Sequence, residues 1–197
     1  MIKKRTFIAI NLEREIKEYI YNLQQEINQI VNSCEMKVKF VEKDNLHISL
    51  KFLGDLNSVE IEKTSATLQN ISQKYHNFTV SLSKNIGIFP TLTRPRVIWI
   101  GIEKGSDIIF QIYQSIEKRL KSEPFYQKEK QFTAHITLAR IKYLKYPQKL
   151  CDYLKNININ PITDFIKKID LMESQLTKEG PLYKVTKSFP LSLQTLA

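Results

Sequence analysis

LHISLKFLG at residues 46–54 and AHITLAR at residues 134–140 are the two segments that decide the fold, because the second repeats the core of the first. Both contain His-Ile-Ser/Thr-Leu within an apolar stretch typical of a β-strand, and each follows residues with helical periodicity. The two histidines are 135 − 47 = 88 residues apart, and self-similarity at this distance indicates two related lobes. We therefore predict that each lobe contributes one such strand to a common cleft.

Side chains alternate between the two faces of a strand, so each motif should present an imidazole and a hydroxyl on one face. These pairs are His47 with Ser49 in the first motif and His135 with Thr137 in the second. The opposite face is predicted to pack into the core through Ile48, Leu50, Phe52, Ile136 and Leu138.

Two imidazoles beside two hydroxyls can open a phosphate ester. An unperturbed imidazole has a pKa of about 6.5, so one ring can be neutral and the other protonated near pH 7. One ring would accept a proton from water, and the other would donate a proton to the leaving oxygen. The hydroxyls of Ser49 and Thr137 would hold the non-bridging oxygens. A strained cyclic phosphate would need no metal and no other cofactor for this reaction.

Other interpretations of the two histidines compete with this one. A single motif of this kind is more often a structural histidine than a catalytic one. A metal site would need a third ligand, and neither motif contains Asp, Glu or Cys. Ser49 or Thr137 as a nucleophile lacks an acid–His–Ser pattern. The third histidine, His76, has no such context, and we expect it on the surface.

Composition and charge limit the protein class and suggest a polyanionic ligand. The 197 residues, 42% of them hydrophobic, fit one domain over residues 1–197. No apolar run reaches the ~20 residues of a membrane span, and no signal sequence follows Met1. We therefore expect a cytoplasmic protein without a membrane partner. We also expect the protein to be a monomer. Cys34 and Cys151 fit no metal or redox spacing and are expected to be reduced. The net charge of +10 is spread over both halves and favours nucleic acid or phosphate.

Strand-like and helix-like stretches alternate along the chain, which predicts an α+β fold. The five glycines form no phosphate-binding loop. Strands are predicted at residues 6–11, 40–41, 46–53, 78–82, 96–101, 134–139, 166–173 and 183–189. Helices are predicted at residues 13–31, at 58–71 with Ser58 as the N-cap, at 107–120 and at 146–154.

The paired motifs resemble those of the two-histidine phosphoesterase superfamily. The resemblance is closest to its RNA 2′,3′-cyclic phosphodiesterase branch, also described as 2′-5′ RNA ligase-like. Ser49 replaces the commoner threonine and keeps the hydroxyl, and Ala134 stands where the family often has proline. Further segments agree in order along nearly the whole chain, at residues 5–10, 51–54, 89–90, 96–101, 138–140, 171–176 and 180–183.

The resemblance implies a bilobal α+β fold with two pseudo-symmetric lobes, each with an antiparallel sheet flanked by helices, and a positively charged cleft between them. It implies hydrolysis of RNA 2′,3′-cyclic phosphate ends to 2′-phosphomonoesters, with reverse 2′-5′ joining in principle. His47 matches the proton donor of the family, His135 the acceptor, and Arg140 the arginine that contacts phosphate. Strict alternation would turn Arg140 away from His135, so this role requires a bulge in the strand.

Three further residues are candidates for substrate contact. Phe7 and Tyr183 could stack on a base or belong to the core. Lys51 is an even number of residues from His47, so it should share the face of His47 and could reach phosphate or be solvated.

Two other functions stay open, namely a non-catalytic RNA-binding module and a phosphodiesterase for 2′-5′ oligonucleotides or small cyclic nucleotides.

Overall fold

The computed structural model of the protein describes residues 2–128, 131–178 and 180–193. Within these ranges the strands are β1 (Lys4–Asn11), β2 (Met36–Phe40), β3 (His47–Leu56), β4 (Phe78–Thr91), β5 (Arg94–Ile102), β6 (His135–Leu144), β7 (Thr163–Ile166), β8 (Lys168–Leu176) and β9 (Pro181–Pro190). The helices are α1 (Arg14–Asn28), α2 (Ser58–Ser72), α3 (Ser106–Leu120) and α4 (Pro147–Asn156). None of these helices is long and apolar enough to cross a membrane.

The described strands form one antiparallel sheet in the order β7-β4-β5-β6-β3-β1-β8-β9, and β2 pairs with β6. The predicted α+β class with antiparallel pairing is confirmed. The two expected sheets are halves of one sheet, because the histidine strands β3 and β6 meet through the pair Ile48–Ile136. Both motifs therefore lie at the centre of the sheet.

The order of strands shows a twofold repeat. An N-terminal repeat, β1-α1-β3-α2-β4, is followed by a C-terminal repeat, β5-α3-β6-α4-β8. The last strand of each repeat pairs with the first strand of the other, β4 with β5 and β8 with β1. Each half of the sheet therefore contains a strand from the other repeat. For this reason we propose that residues 1–197 form one domain.

The helices cover one face of the sheet with apolar side chains. In α1 the buried residues recur at helical spacing, at Ile16, Ile20, Leu23 and Ile27. Ile48 and Ile136 join the same core from the sheet, and both are fully buried. The opposite face carries a small separate apolar cluster, which consists of Phe7, Ala9, Met172 and the partly buried Tyr183.

Several predicted element boundaries were wrong. Asn57, not Ser58, caps α2, because its side chain accepts a hydrogen bond from the Glu60 backbone and the Glu60 side chain accepts one from the Asn57 backbone. Strand β4 continues to Thr91, far beyond the predicted end at residue 82. The single strand predicted at residues 166–173 is divided between β7 and β8.

Candidate active site

His47 and His135 begin the neighbouring strands β3 and β6 and face the side of the sheet opposite the helices. Ile48 lies directly opposite Ile136. Because the strands are antiparallel, this register places His47 opposite Thr137 and His135 opposite Ser49. The fold therefore brings the four predicted catalytic residues together around one cleft.

The backbone fixes the orientation of both imidazoles in the same way. Nδ1 of His47 lies 2.7 Å from the carbonyl oxygen of Asn45, and Nδ1 of His135 lies 2.7 Å from that of Thr133. Since a carbonyl can only accept, Nδ1 carries the proton in each ring. Nε2 of each neutral imidazole therefore carries a lone pair that can accept a proton or a hydrogen bond.

The two Nε2 atoms differ in their hydrogen bonds. Nε2 of His47 lies 2.9 Å from Oγ of Ser49, which donates to it when the ring is neutral. In the part of the chain that the structure describes, no protein group bonds Nε2 of His135, and Thr137 makes no side-chain hydrogen bond. His135 is therefore the more accessible of the two to an incoming water molecule.

Aromatic rings surround both histidines. The centroid of His47 lies 5.2 Å from that of Phe7 and 5.3 Å from that of Tyr183. The centroid of His135 lies 5.2 Å from that of Phe89 and 5.7 Å from that of Trp99. These rings exclude water from the imidazoles and thereby disfavour their charged forms.

Burial lowers the pKa of His47 to about 4 and also lowers the pKa of His135. The hydrogen bonds to the Asn45 and Thr133 carbonyls oppose this effect, whereas the charge of Arg140 adds to it at both rings. Both imidazoles of the free protein are therefore neutral near pH 7, rather than one neutral and one charged. A bound phosphate anion would raise both pKa values by stabilising the imidazolium form.

We expect kcat/KM to be greatest on the acid side of neutrality. A general acid must hold a proton in the free enzyme, and both histidine pKa values there lie below the usual 6.5. As pH rises, the free protein loses this proton and kcat/KM falls. The corresponding limb of kcat should lie at higher pH, because bound phosphate stabilises the charged ring. Rate profiles from pH 4 to pH 10 would test this, and a kcat/KM that climbs steadily to pH 10 would contradict it.

Each histidine motif ends in a β-bulge. Residue 49 pairs with Ala9 but residue 51 pairs with Ile8, which leaves Leu50 as an extra residue, and Leu138 is the extra residue at the same place in β6. Each bulge shifts the alternation of side chains by one. Arg140 consequently lies exposed on the face of His135. The bulge that its predicted phosphate contact required is present.

The same shift makes the predicted orientation of Phe52 wrong. Phe52 does not point into the core but is 53% exposed on the His47 face. Phe52 and Arg140 occupy equivalent positions in the two motifs, so the repeat itself could have revealed this. If Arg140 needs a bulge in β6 to reach the cleft, an equivalent bulge in β3 would turn Phe52 to the cleft as well.

Both alternatives predicted for Lys51, contact with phosphate and a solvated side chain, are wrong. Beyond the bulge Lys51 points to the helix side, where it is 1% exposed. Its Nζ lies 2.6 Å from Oε1 of Glu117, donates to the carbonyl of Gln127 and lies 4.8 Å from the ring centroid of Tyr126. Lys51 is therefore part of a buried ion pair beneath the sheet.

The two aromatic candidates differ in exposure. Phe7 is 2% exposed and packs between the rings of His47, Phe52 and Tyr183, so it belongs to the core and has no free face for a base. Tyr183 is half-buried beside His47, and burial raises its pKa. The Asn45 side chain donates to the carbonyl of Pro181 at 3.0 Å and so holds the start of β9 near His47.

A cavity of about 670 Å³ adjoins His135. This volume is within the usual range for a small-molecule site. Sequence reasoning missed most of its walls, because they come from distant segments and share no motif. The lining residues are Phe52, Phe89, Pro90, Gln127, Lys128, Gln131, Thr133 and His135.

No cluster of three His, Cys, Asp or Glu side chains suitable for a metal ion occurs among residues 2–128, 131–178 and 180–193. His76 is exposed, and its Nδ1 lies 3.1 Å from the carbonyl oxygen of Leu193, away from the cleft.

The sequence is similar to several curated proteins over most of its length. A protein of Methanocaldococcus jannaschii named RNA 2′,3′-cyclic phosphodiesterase is 33% identical and is matched over 94% of this chain and 99% of its own. A protein of Aquifex aeolicus with the same name is 30% identical, with 95% and 97% covered. One of Escherichia coli K12 is 28% identical, with 70% and 72% covered.

Solved structures share the fold. A protein of Thermus thermophilus superimposes with a TM-score of 0.76 at 23% identity, covering 97% of this chain and 100% of that chain. Escherichia coli LigT complexed with 3′-AMP gives a TM-score of 0.74 at 24% identity, covering 96% and 99%.

The sequence model of one family, described as LigT like Phosphoesterase, matches the chain twice in succession, at residues 10–99 and 100–183. The first match covers most of the N-terminal repeat and the second most of the C-terminal repeat, and the boundary between the matches lies within β5. The chain therefore belongs to the LigT-like phosphoesterase family.

Proposed function

We propose that this protein hydrolyses RNA 2′,3′-cyclic phosphate ends to 2′-phosphomonoesters by acid–base catalysis between two histidines. The observation that carries the proposal is the matched pair of imidazoles, each with Nδ1 bonded to a backbone carbonyl and Nε2 directed to the cleft. The names of the relatives from M. jannaschii and A. aeolicus support the substrate class.

Each proton in the proposed reaction has a donor and an acceptor. Neutral His135 accepts a proton from water through its unoccupied Nε2, and the water oxygen attacks phosphorus. The bond from phosphorus to the 3′ oxygen breaks, and His47 gives that oxygen a proton. The phosphate stays on the 2′ oxygen. General acid and base groups each contribute about 10²–10⁴ to such a rate.

His47 must gain a proton before it can act as the acid, although its pKa in the free protein is about 4. The phosphate anion supplies the missing stabilisation when it binds next to the ring. When His47 is charged, its Nε2 becomes a donor, and the Ser49 hydroxyl at 2.9 Å can accept from it or turn to a phosphate oxygen.

Arg140, Ser49 and Thr137 are proposed to hold the non-bridging oxygens. Arg140 lies exposed on the face of His135 beyond the bulge in β6, and its charge lowers the pKa of both histidines. A guanidinium offers paired donors that suit a phosphate. The cavity beside His135 would receive the terminal nucleoside, with the exposed ring of Phe52 as one wall. Action as a monomer in the cytoplasm stays a prediction from the sequence.

The decisive experiment supplies an RNA oligonucleotide with a 2′,3′-cyclic phosphate end. The mass of the product shows whether water has opened the ring. Resistance of the product to a phosphatase specific for 3′-phosphates shows whether the phosphate is on the 2′ oxygen. We expect a 2′-phosphomonoester, because the proposed acid serves the 3′ oxygen. A 3′-phosphate would show that the ribose lies in the opposite orientation between the histidines. No opening of any cyclic end by the folded protein would refute the enzymatic proposal.

Controls separate the remaining alternatives. The reaction should proceed unchanged in excess EDTA, since the proposed steps use only side chains and water. A 2′-5′-linked oligonucleotide and a small cyclic nucleotide should be poorer substrates than the cyclic RNA end. Binding of the RNA without turnover would favour a non-catalytic module.

A further inference from the structure

The face of the sheet that carries Arg140 continues along β2 and the end of β6. Lys39 pairs with Arg140, and Lys37 pairs with Tyr143 three residues further along β6. The register shifts between these pairs because Lys142 is an extra residue in β6. Residues directly opposite each other share a face, as do alternate residues of one strand. Lys37 and Tyr143 therefore lie on the same face as Arg140.

Exposed cationic and aromatic groups dominate this stretch. Tyr143 is 57% exposed, and Lys37 and Lys142 are exposed as well. Neither lysine forms an ion pair with any carboxylate in the described part of the chain. Lys37 and Tyr143 also line a shallow depression of about 330 Å³. We call Lys37, Lys142 and Tyr143 the β2–β6 surface.

The surroundings of the β2–β6 surface have the same character. The carboxylate of Glu35, at the rim of the depression, lies 2.8 Å from Nζ of Lys145 and is thus neutralised. The ring of Tyr146 has Nζ of Lys145 at 5.1 Å and Nζ of Lys149 at 4.7 Å from its centroid. The local field is positive, and the exposed rings are flanked by cations.

The β2–β6 surface and Phe52, one wall of the cavity, lie on opposite sides of the histidine pair along the strands. Because β3 and β6 are antiparallel, Phe52 and Arg140 extend from the histidine pair in opposite directions. Phe52 lines the cavity, whereas Arg140 leads to the β2–β6 surface. Tyr143 follows Arg140 by three residues along β6, a distance of about 10 Å.

We propose that the β2–β6 surface binds the nucleotides that precede the cyclic end of a single-stranded RNA. Proteins bind single strands by combining cationic side chains along the backbone with aromatic rings on which bases stack. The β2–β6 surface supplies both, and it continues from Arg140, the proposed phosphate contact. This inference rests on the proposed function, because the position of the terminal phosphate between the histidines sets where the preceding nucleotides lie.

Binding measurements with ligands that cannot react test the inference separately from catalysis. The ligands are an RNA of about eight nucleotides with a 2′-phosphate end, a length within the usual single-strand site sizes, and the matching 2′-phosphate mononucleotide. The variants are Tyr143→Ala and the double variant Lys37→Gln/Lys142→Gln. Matched controls are Tyr21→Ala, at a tyrosine 42% exposed on α1, and Lys74→Gln/Lys118→Gln, at two exposed lysines on the helix side.

We expect Tyr143→Ala to weaken binding of the oligonucleotide at least about fivefold, from loss of one stacked base. The double lysine variant should reduce the slope of log affinity against log salt by about 1.4, at roughly 0.7 for each lost phosphate contact. Affinity for the mononucleotide should stay unchanged in both variants. Equal losses for both ligands, equal losses in the controls, or an oligonucleotide that binds no more tightly than the mononucleotide would overturn the inference.

Discussion

Replacing either His47 or His135 with alanine is expected to lower kcat on an RNA cyclic phosphate end by about 10²–10⁴. Each substitution removes one of the two groups that move protons, and no other histidine lies in the cleft. Single-turnover rates on the oligonucleotide, measured with enzyme in excess, would report the chemical step directly.

His76→Ala is the matched control for these variants, because His76 is exposed and lies outside the cleft. It should retain full activity. The melting temperature of each active-site variant should fall only slightly, since both rings line the cleft rather than the main core. A loss below tenfold in either variant, with the fold intact, would exclude the proposed pair of acid and base.

Lys51→Met is expected to lower the free energy of unfolding by about 3–5 kcal/mol, the usual cost of removing one partner from a buried ion pair. The side chain of Lys51 is fully buried and that of Glu117 is 17% exposed. The substitution leaves the Glu117 carboxylate without its cation in a largely dry environment. Urea unfolding at neutral pH would measure the loss.

Two further variants test the cause of this loss. The double variant Lys51→Met/Glu117→Gln should recover much of the stability, because the unpaired charge is gone. Lys4→Met breaks an ion pair with Glu173 whose lysine is 46% exposed, and it should cost at most about 1 kcal/mol. A Lys51→Met protein that is fully stable yet inactive would instead restore Lys51 as a phosphate contact.

Local patterns predicted the elements that carry the histidines. The repeated His-Ile-Ser/Thr-Leu sequence correctly indicated two strands that present imidazoles to one cleft, because the alternation of side chains depends only on neighbouring residues. The errors lie just past the first motif, at Lys51 and Phe52. Leu50 and Leu138 are ordinary strand residues in sequence, and only their pairing with β1 and β5 shows that they are bulged.

Residues supplied by distant segments could not be predicted from the sequence. Trp99 and Phe89 lie against His135 because the β4–β5 hairpin pairs with β6 through β5, and no spacing in the chain encodes that pairing. The pKa values of the histidines depend on the same enclosure. An imidazole on an isolated strand would keep a pKa near 6.5, whereas the assembled ring of aromatic neighbours lowers it.

The exchange of strands between the repeats has a consequence for protein synthesis. In the folded sheet, Phe7 of β1 lies opposite Met172 of β8. The first strand to be synthesised therefore pairs with one of the last. Until β8 leaves the ribosome, β1 keeps an open edge that can pair with other chains. Such non-local pairing also slows folding, because a long loop must close before the contact forms. The His47 pocket is incomplete until Tyr183 has been translated, so the nascent chain should stay inactive until then.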